Sequence, residues 1–370
     1  SVVGITPQVS PRHFRLCAWL YGFAPGLLLA LLFLFPQAAM QGVKDGLLLW
    51  TQAVLPALLP FFVVTSLLQS SGALDLLSPL AAPLCRLFRL PKRAGGILLA
   101  GWLSGAPNGA RLASALCAEG SLPPDACAHL TAVCTVTGPL FLVGAVGGWL
   151  GSPARGALLF AVQLLGAVLN GLLWRNHGAV ADEPQEQPSF SPESPLRALP
   201  EALRQSSLSL LFIGAAIALF SSLAAVLDAV GIIGALERVL LWAIPKDAVR
   251  PLLSGFLEVS GGCRQMAQAA LSLPLRLSLI CALTSFGGIS VLCQSQVFLK
   301  GSVRPAIYFC QRLTHAALSF ALCRAFCLLP VRTLPVFAPT GAPEIALPAL
   351  WPLLCLLPAL LPAPRNRKGR

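Results

Sequence analysis

Charged residues are scarce in this sequence of 370 residues, and acidic ones are the scarcest. Asp, Glu, Lys and Arg together make up 11% of the chain, and only 14 residues are acidic. Soluble domains carry about 25% charged residues, whereas this chain is 56% hydrophobic and has a mean hydropathy of +0.77. The composition therefore excludes an ordinary soluble domain and favours a membrane protein.

Signatures of catalysis and of metal binding are also missing. The chain has no GxSxG, HExxH or GxxxxGK[ST] motif, and its 4 histidines are scattered. Its 12 cysteines include no CxxC pair and no Cys/His cluster with zinc spacing. We therefore expect no catalytic residues, no metal, no cofactor and no disulfide framework.

The net charge of +12 is not accompanied by a basic helix with interleaved aromatic residues. Nucleic acid is therefore not an expected partner. In membrane proteins an excess of Lys and Arg marks the cytoplasmic loops, and we expect the lipid bilayer to be the surrounding medium.

Apolar runs long enough to cross a bilayer, about 20 residues each, recur throughout the chain. They predict an all-α membrane protein with about eight transmembrane helices, near 16–36, 47–70, 125–149, 155–174, 206–227, 275–297, 305–328 and 345–363. The first run follows Arg12 and Arg15 and has no small-residue cleavage site, so we expect a retained helix. Two stretches that mix leucine or isoleucine with charges, 73–90 and 232–244, predict helices lying along the membrane interface.

Two further segments break an apolar run with small residues and then place an arginine in it. The first is Gly101–Arg111 and the second is Gly255–Arg264. Exposed backbone and ionised side chains are costly in hydrocarbon, so such breaks survive inside protein or beside a water-filled cavity. We interpret them as re-entrant helical hairpins over 95–120 and 249–272. A kinked spanning helix in each place is the alternative.

The same order of elements occurs twice, which predicts inverted repeats. With both ends cytoplasmic, 15 of the 26 Lys and Arg residues fall on the inside and seven on the outside, as the positive-inside rule requires. The predicted divisions are an N-terminal transmembrane helix (1–46), a first repeat (47–175), a polar linker (176–204), a second repeat (205–330), and a C-terminal transmembrane helix with a basic tail (331–370).

The hairpins and the later helix breaks supply the candidate site residues. A buried arginine needs a partner, and its planar guanidinium fits a carboxylate. Arg111 and Arg264 are therefore candidate ligands of an anion, although snorkelling or pairing with Glu119 and Glu258 would also satisfy them. The full set of candidate substrate-binding residues is Ser104, Asn108, Arg111, Thr135, Thr137, Ser260, Arg264, Thr284 and Ser285.

Three features complete the predicted site. Hairpin helix N-termini near Pro107–Ala110 and Gly261–Arg264 add donor N–H groups and positive dipole ends. Glu258 is expected either to bind a coupling ion or to neutralise Arg264, with neutralisation preferred. Helix breaks are expected at Gly138-Pro139 and at Gly287-Gly288. Two interpretations are open for Gln294, Gln296, Arg312 and His315: they extend the polar path or, as we prefer, they bond between helices.

The segments Leu103–Ala113, Gly138–Gly147 and Ser285–Val291 resemble the YlbJ/SpoVV family of sporulation integral membrane proteins, which carry a nucleoside-recognition or gate domain. The resemblance covers roughly residues 40–330. It implies a fold related to concentrative nucleoside transporters and a role in moving dipicolinic acid during endospore formation. A cell membrane or the outer forespore membrane would then be its location.

The leading hypothesis is a carrier of a small carboxylate. A nucleoside carrier is the second hypothesis, because of the implied fold. The third is a non-transporting scaffold that recruits partners through the linker 176–204 and the tail Arg365–Arg370. The sequence leaves the coupling ion and a homo-oligomeric state open.

Overall fold

A computed structural model describes residues 11–118, 122, 124–175, 195–299 and 302–328. The predicted C-terminal helix 345–363, the basic tail and most of the predicted linker lie outside these residues. The described residues of the chain form helices and short connections, without strands. Both halves contain the same kinds of element in the same order.

The first half begins with one long helix and an interfacial segment. α1 (Pro11–Leu34) precedes this half, and the long helix then runs without interruption through α2 (Pro36–Leu49), a π-helical turn and α3 (Leu55–Ser70). Short helices then occupy the segment that was predicted to lie along the interface: α4 (Ala73–Leu77), a 3₁₀ turn, and α5 (Ala82–Phe88).

A hairpin and a broken helix complete the first half. α6 (Ala94–Ser104) and α7 (Asn108–Ala118) form the first helical hairpin. α8 (Pro124–Cys134) ends before Gly138, and helical structure resumes in a π-helix (Phe141–Val146) and α9 (Gly147–Trp149). α10 (Pro153–Leu173) is the last helix of this half.

The second half repeats this order. α11 (Pro195–Ala229) is the long helix and α12 (Ile232–Leu240) is the interfacial one. α13 (Lys246–Leu257) and α14 (Val259–Gln268) form the second hairpin. α15 (Leu273–Phe286) and α16 (Gly288–Leu299) are two parts of a broken helix, and α17 (Pro305–Leu328) closes the half.

Two boundaries differ from the sequence-based ones. The second long helix begins at Pro36 and not near 47, and Gly42 and Gly46 are packing positions inside α2. Residues 195–204 belong to the first turns of α11, so the polar linker ends before residue 195. The polar composition of these turns reflects solvent exposure of several side chains.

The long helices of the two halves pack directly on each other. A Cβ added to Gly42 would lie 2.6 Å from the Cα of Ser222, and one added to Gly46 would lie 2.9 Å from the Cα of Ala218. Small residues four apart let helix backbones approach closely in a membrane. The Ser222 hydroxyl also donates to the carbonyl of Ala39 at 3.0 Å.

We expect Gly46→Leu to separate α2 from α11, since the backbone of α11 leaves no room for a side chain. The midpoint of thermal unfolding should fall by several degrees, because overpacking costs about 1–3 kcal/mol. Gly144→Leu is the matched control, because nothing lies within 4 Å of a Cβ at Gly144. Equal unfolding midpoints for the two variants would contradict the packing assignment.

Four helical stretches are long and apolar enough to cross a membrane within the part of the chain that the structure describes. They are Pro36–Ser70, Pro153–Leu173, Arg197–Ala229 and Leu273–Leu299. The prediction of an all-α membrane protein is therefore confirmed at this level.

Candidate functional site

The tips of both hairpins and the breaks of both broken helices surround one cavity of about 50 Å³. Hairpin one contributes Ala106 and Pro107, and hairpin two contributes Glu258, Val259 and Ser260. The helix breaks contribute Thr137, Gly138, Thr284 and Gly287, and Gln294 and Arg312 complete its polar lining. One water needs about 10–15 Å³ of such space, so the cavity has room for a few waters.

Glycines allow each hairpin tip to sit against the helix break of its own half. Gly105 has φ +83°, and a Cβ there would lie 2.7 Å from the backbone nitrogen of Gly138. Gly288 has φ +73°, and a Cβ there would lie 2.9 Å from the carbonyl oxygen of Gly255. L side chains rarely adopt this left-handed region, so these glycines position the two tips.

The breaks are also joined to each other and to a tip by hydrogen bonds to backbone carbonyls. The Thr137 hydroxyl donates to the carbonyl of Thr284 at 2.8 Å. The N–H of Ala106 donates to the carbonyl of Val136 at 2.6 Å. The sites of interruption in the two halves therefore meet in three dimensions although they lie about 147 residues apart in the chain.

Glu258 is buried at the tip of hairpin two and caps the helix that follows it. Its carboxylate accepts from the N–H of Ser260 at 3.0 Å and from the N–H of Gly261 at 2.7 Å. Among the described residues no ion pair joins Glu258 to Arg264. The preferred expectation that Glu258 neutralises Arg264 is therefore wrong. The Glu258 carboxylate instead faces the positive end of α14.

Arg312 from α17 is buried, with 2% of its surface exposed. Its guanidinium donates to the carbonyl oxygens of Thr135 and Ser285, to the carbonyl of Phe286 at 3.4 Å, and to the Thr135 hydroxyl at 3.0 Å. The helices α8 and α15 end at these residues, so one arginine connects both breaks. The expectation that Arg312 bonds between helices is confirmed.

Other hydroxyls of the predicted set mostly bond the preceding turn of their own helix. The hydroxyls of Thr135 and Thr284 donate to the carbonyls of Thr131 and Ile280 at 2.7 and 2.9 Å. The Ser285 hydroxyl is buried without a hydrogen-bond partner. Of this group, Thr137 and Thr284 line the cavity, whereas Thr135 and Ser285 contact Arg312.

The predicted residues of hairpin one form a different network. The Arg111 guanidinium donates to the side chains of Asn108 at 2.8 Å, Ser66 at 3.2 Å and Gln69 at 3.4 Å. Asn108 in turn donates to Thr65 at 2.8 Å. The Ser104 hydroxyl donates to the carbonyl of Ala100 at 2.6 Å. The contacts of Asn108 and Arg111 attach hairpin one to α3, and Ser104, Asn108 and Arg111 do not line the cavity.

Arg264 lies in a second, larger cavity of about 480 Å³, which we call the vestibule. The vestibule is lined by charged residues from α2, α11, α13 and α14, among them Asp45, Asp228, Arg250 and Arg264. Glu258 borders both cavities. The tip of hairpin two therefore forms the wall between the vestibule and the central cavity.

Sequence reasoning placed too little weight on two side chains. Gln294 donates to the Ser290 hydroxyl at 3.0 Å, and its carbonyl oxygen is buried without a partner beside the cavity. For Arg312, bonding between helices was preferred over a place in the polar path. A buried arginine in an apolar helix was the available signal, but the sequence does not show that α17 faces the two breaks.

Two cysteines also depart from expectation. Cys117 at the end of α7 and Cys127 in α8 form a disulfide. Their separation of 10 residues has no zinc or CxxC signature, which is why the sequence did not indicate it. The bond connects hairpin one to the first broken helix.

Known proteins match this chain in two comparisons. Residues 52–152, which contain the first hairpin and the first break, match the Gate family, described as nucleoside recognition. The sporulation integral membrane protein YlbJ of Bacillus subtilis (strain 168) is 29% identical over 322 residues, which cover 78% of this chain and 79% of YlbJ. No solved structure matches the chain. These matches confirm the resemblance found in the sequence, and together with the apolar helices they identify the chain as an integral membrane protein that is similar to YlbJ and contains a Gate domain.

Proposed function

We propose that this protein carries a small anionic solute across a membrane, with a carboxylate of the dipicolinic acid type as its substrate. The observation that supports this most is the convergence of both hairpin tips, both helix breaks and Arg312 on one cavity. Discontinuous helices that meet at one point are typical of substrate sites in transporters. In this proposal the hairpins are re-entrant, the repeats are inverted, and about eight helices span the bilayer.

Helix ends around the cavity favour an anion. α7, α14 and α16 begin at or beside the cavity residues Pro107, Val259 and Gly287, and helix N-termini carry a partial positive charge. The carbonyl ends of α8 and α15, which would repel an anion, are covered by the Arg312 guanidinium. A negatively charged solute therefore meets the positive ends of α7 and α16, whereas the first N–H groups of α14 are already occupied by the Glu258 carboxylate.

The two cavities suggest a route. Under the predicted topology Asp45 and Arg250 lie on the outer side, so the vestibule would open outwards. The central cavity is too small for an aromatic dicarboxylate, and hairpin two separates it from the vestibule. Solute entry therefore requires movement of that hairpin tip, with Arg264 and Arg250 as the first cations that the solute meets.

We expect Thr137→Val and Gln294→Leu to lower the initial rate of dipicolinate uptake into proteoliposomes by about tenfold each. Each variant removes a polar group from the cavity wall, and a tenfold change corresponds to about 1.4 kcal/mol, near the contribution of one buried hydrogen bond. Uptake should be measured with radiolabelled dipicolinate at matched protein density.

Thr51→Val is the control for these variants, because the Thr51 hydroxyl is exposed and bonds only its preceding turn, at 2.9 Å to Leu47. It should retain the unmodified rate. Uptake that is unaffected by both cavity variants would contradict the site assignment. Uptake that is inhibited by uridine and not by dicarboxylates would instead support the nucleoside carrier that the Gate family's description favours. No uptake of either solute would support the scaffold.

A further inference from the structure

Two broken helices leave carbonyl groups without helical partners deep in the protein. The last residues of α8 and α15 cannot bond onward, because the chain departs from helical geometry at Thr135–Gly138 and at Gly287. Unsatisfied carbonyl groups are costly when water is absent. A donor or a cation is therefore required where these two ends meet.

Arg312 supplies both the hydrogen-bond donors and the positive charge. Its Nε, Nη1 and Nη2 atoms each donate to a carbonyl, and the carbonyls come from Thr135, Ser285 and Phe286. Among the described residues no carboxylate pairs with it. All of its partners are uncharged oxygen atoms, which is the coordination that a bound alkali cation would have.

In transporters with discontinuous helices, unwound carbonyls and half-helix C-termini coordinate a coupling Na⁺ or H⁺. Here the guanidinium of Arg312, a side chain of α17, donates hydrogen bonds to the equivalent carbonyl oxygens. We infer that Arg312 is a built-in counter-cation that takes the place of a dissociable metal cation, so that the folded core and anion binding in the adjacent cavity need neither Na⁺ nor K⁺.

Arginine suits this role better than lysine. Its planar fork presents five N–H donors in fixed directions, so it can reach two separate helix ends at once. A lysine ammonium is a compact charge with three donors, and it would reach one end. Arg312→Lys should therefore retain only part of the stability that Arg312→Ala loses.

Chemical rescue tests the inference without any use of the solute. Arg312→Ala should lower the midpoint of thermal unfolding by about 5–10 °C. Guanidinium chloride at 20 mM should restore at least half of this loss, whereas 20 mM urea, which has the same shape and no charge, should restore none. Arg324→Ala, on the same helix, is the control and should show no selective recovery with guanidinium.

The unmodified protein provides a second measurement in case Arg312→Ala does not fold. Its unfolding midpoint, and the affinity for dipicolinate, should be equal in NaCl, KCl and choline chloride. A requirement for Na⁺ or K⁺ in the unmodified protein would overturn the inference, as would equal effects of guanidinium and urea on Arg312→Ala.

The part of the inference that concerns anion binding rests on the proposed function, and the part that concerns stability does not. If guanidinium rescues the unfolding midpoint but dipicolinate neither binds nor is transported, the proposed solute is wrong and the assignment of Arg312 stands. If dipicolinate is transported but only in Na⁺, the carrier proposal stands and the assignment of Arg312 is wrong.

Discussion

Gly262→Ala is expected to prevent the second hairpin from closing, and to leave little folded protein after purification. Gly255 and Gly262 lie where α13 and α14 cross. A Cβ on Gly262 would overlap the backbone of Gly255 and would lie 2.9 Å from the carbonyl oxygen of Pro251. These neighbours are backbone atoms, which cannot rotate away as a side chain can.

The size of the effect follows from this rigidity. Overpacking of a core by one or a few methyl groups costs about 1–3 kcal/mol when side chains can adjust, and here the helices themselves must separate. Because the tip of the hairpin forms part of the central cavity, the displacement would also remove Glu258 and Ser260 from the site. The measurement is the monodisperse fraction in size-exclusion chromatography, together with the unfolding midpoint.

The neighbouring glycine is a closely matched control. A Cβ on Gly261 would have the Glu258 carboxylate oxygen at 3.3 Å as its nearest neighbour, and that side chain can shift. Replacing Gly by Ala inside a helix contributes about 0.5–1 kcal/mol of stability, so Gly261→Ala should be neutral or slightly stabilising. Similar behaviour of the two variants would show that the hairpin crossing is not as tight as described.

The second large effect is expected from Glu258→Gln. The carboxylate uses both oxygens to accept from the first N–H groups of α14, whereas an amide offers one oxygen and turns two donors towards the remaining N–H. Loss of a side-chain cap costs about 0.5–2 kcal/mol, and a buried donor without an acceptor adds about 1–3 kcal/mol. Stability should therefore fall although the two side chains have nearly the same size.

Transport should fall with it, because Glu258 forms part of the wall between the two cavities. We expect dipicolinate uptake at least tenfold below that of the unmodified protein, with a lower unfolding midpoint. Glu201→Gln is the control: Glu201 is exposed and pairs with Arg204 at 2.6 Å, and exposed pairs contribute about 0–1 kcal/mol. Unchanged stability and uptake in Glu258→Gln would contradict the capping role.

Much of the architecture could be predicted from local features of the sequence. Apolar length predicted the long helices, and glycine with proline marked the interruptions near Gly138 and Gly287, because both effects act within a few residues of the chain. The bounds of α17 agree with the predicted 305–328. The start of α2 could not be predicted, because Gly42 and Gly46 serve packing against a helix more than 170 residues away.

The candidate site was predicted less completely. Glu258 and Ser260 at one hairpin tip, and Thr137 and Thr284 at the breaks, all line the cavity. The sequence could not distinguish an arginine that faces the cavity from one that hydrogen-bonds a hairpin to a neighbouring helix, since both lie among apolar residues. It also could not show that the N–H groups of Ser260 and Gly261 are already occupied by Glu258.

The membrane class, the helical fold and the two interrupted segments in each half follow from composition and from short-range patterns alone. The roles of the three arginines were decided by tertiary structure. Arg111 contacts the polar side chains of α3, Arg264 lies in the vestibule, and Arg312 is enclosed by the carbonyl ends of two broken helices. The physical reason is that the cost of burying a charge depends on which distant groups surround it, and packing of the two halves brings those groups together.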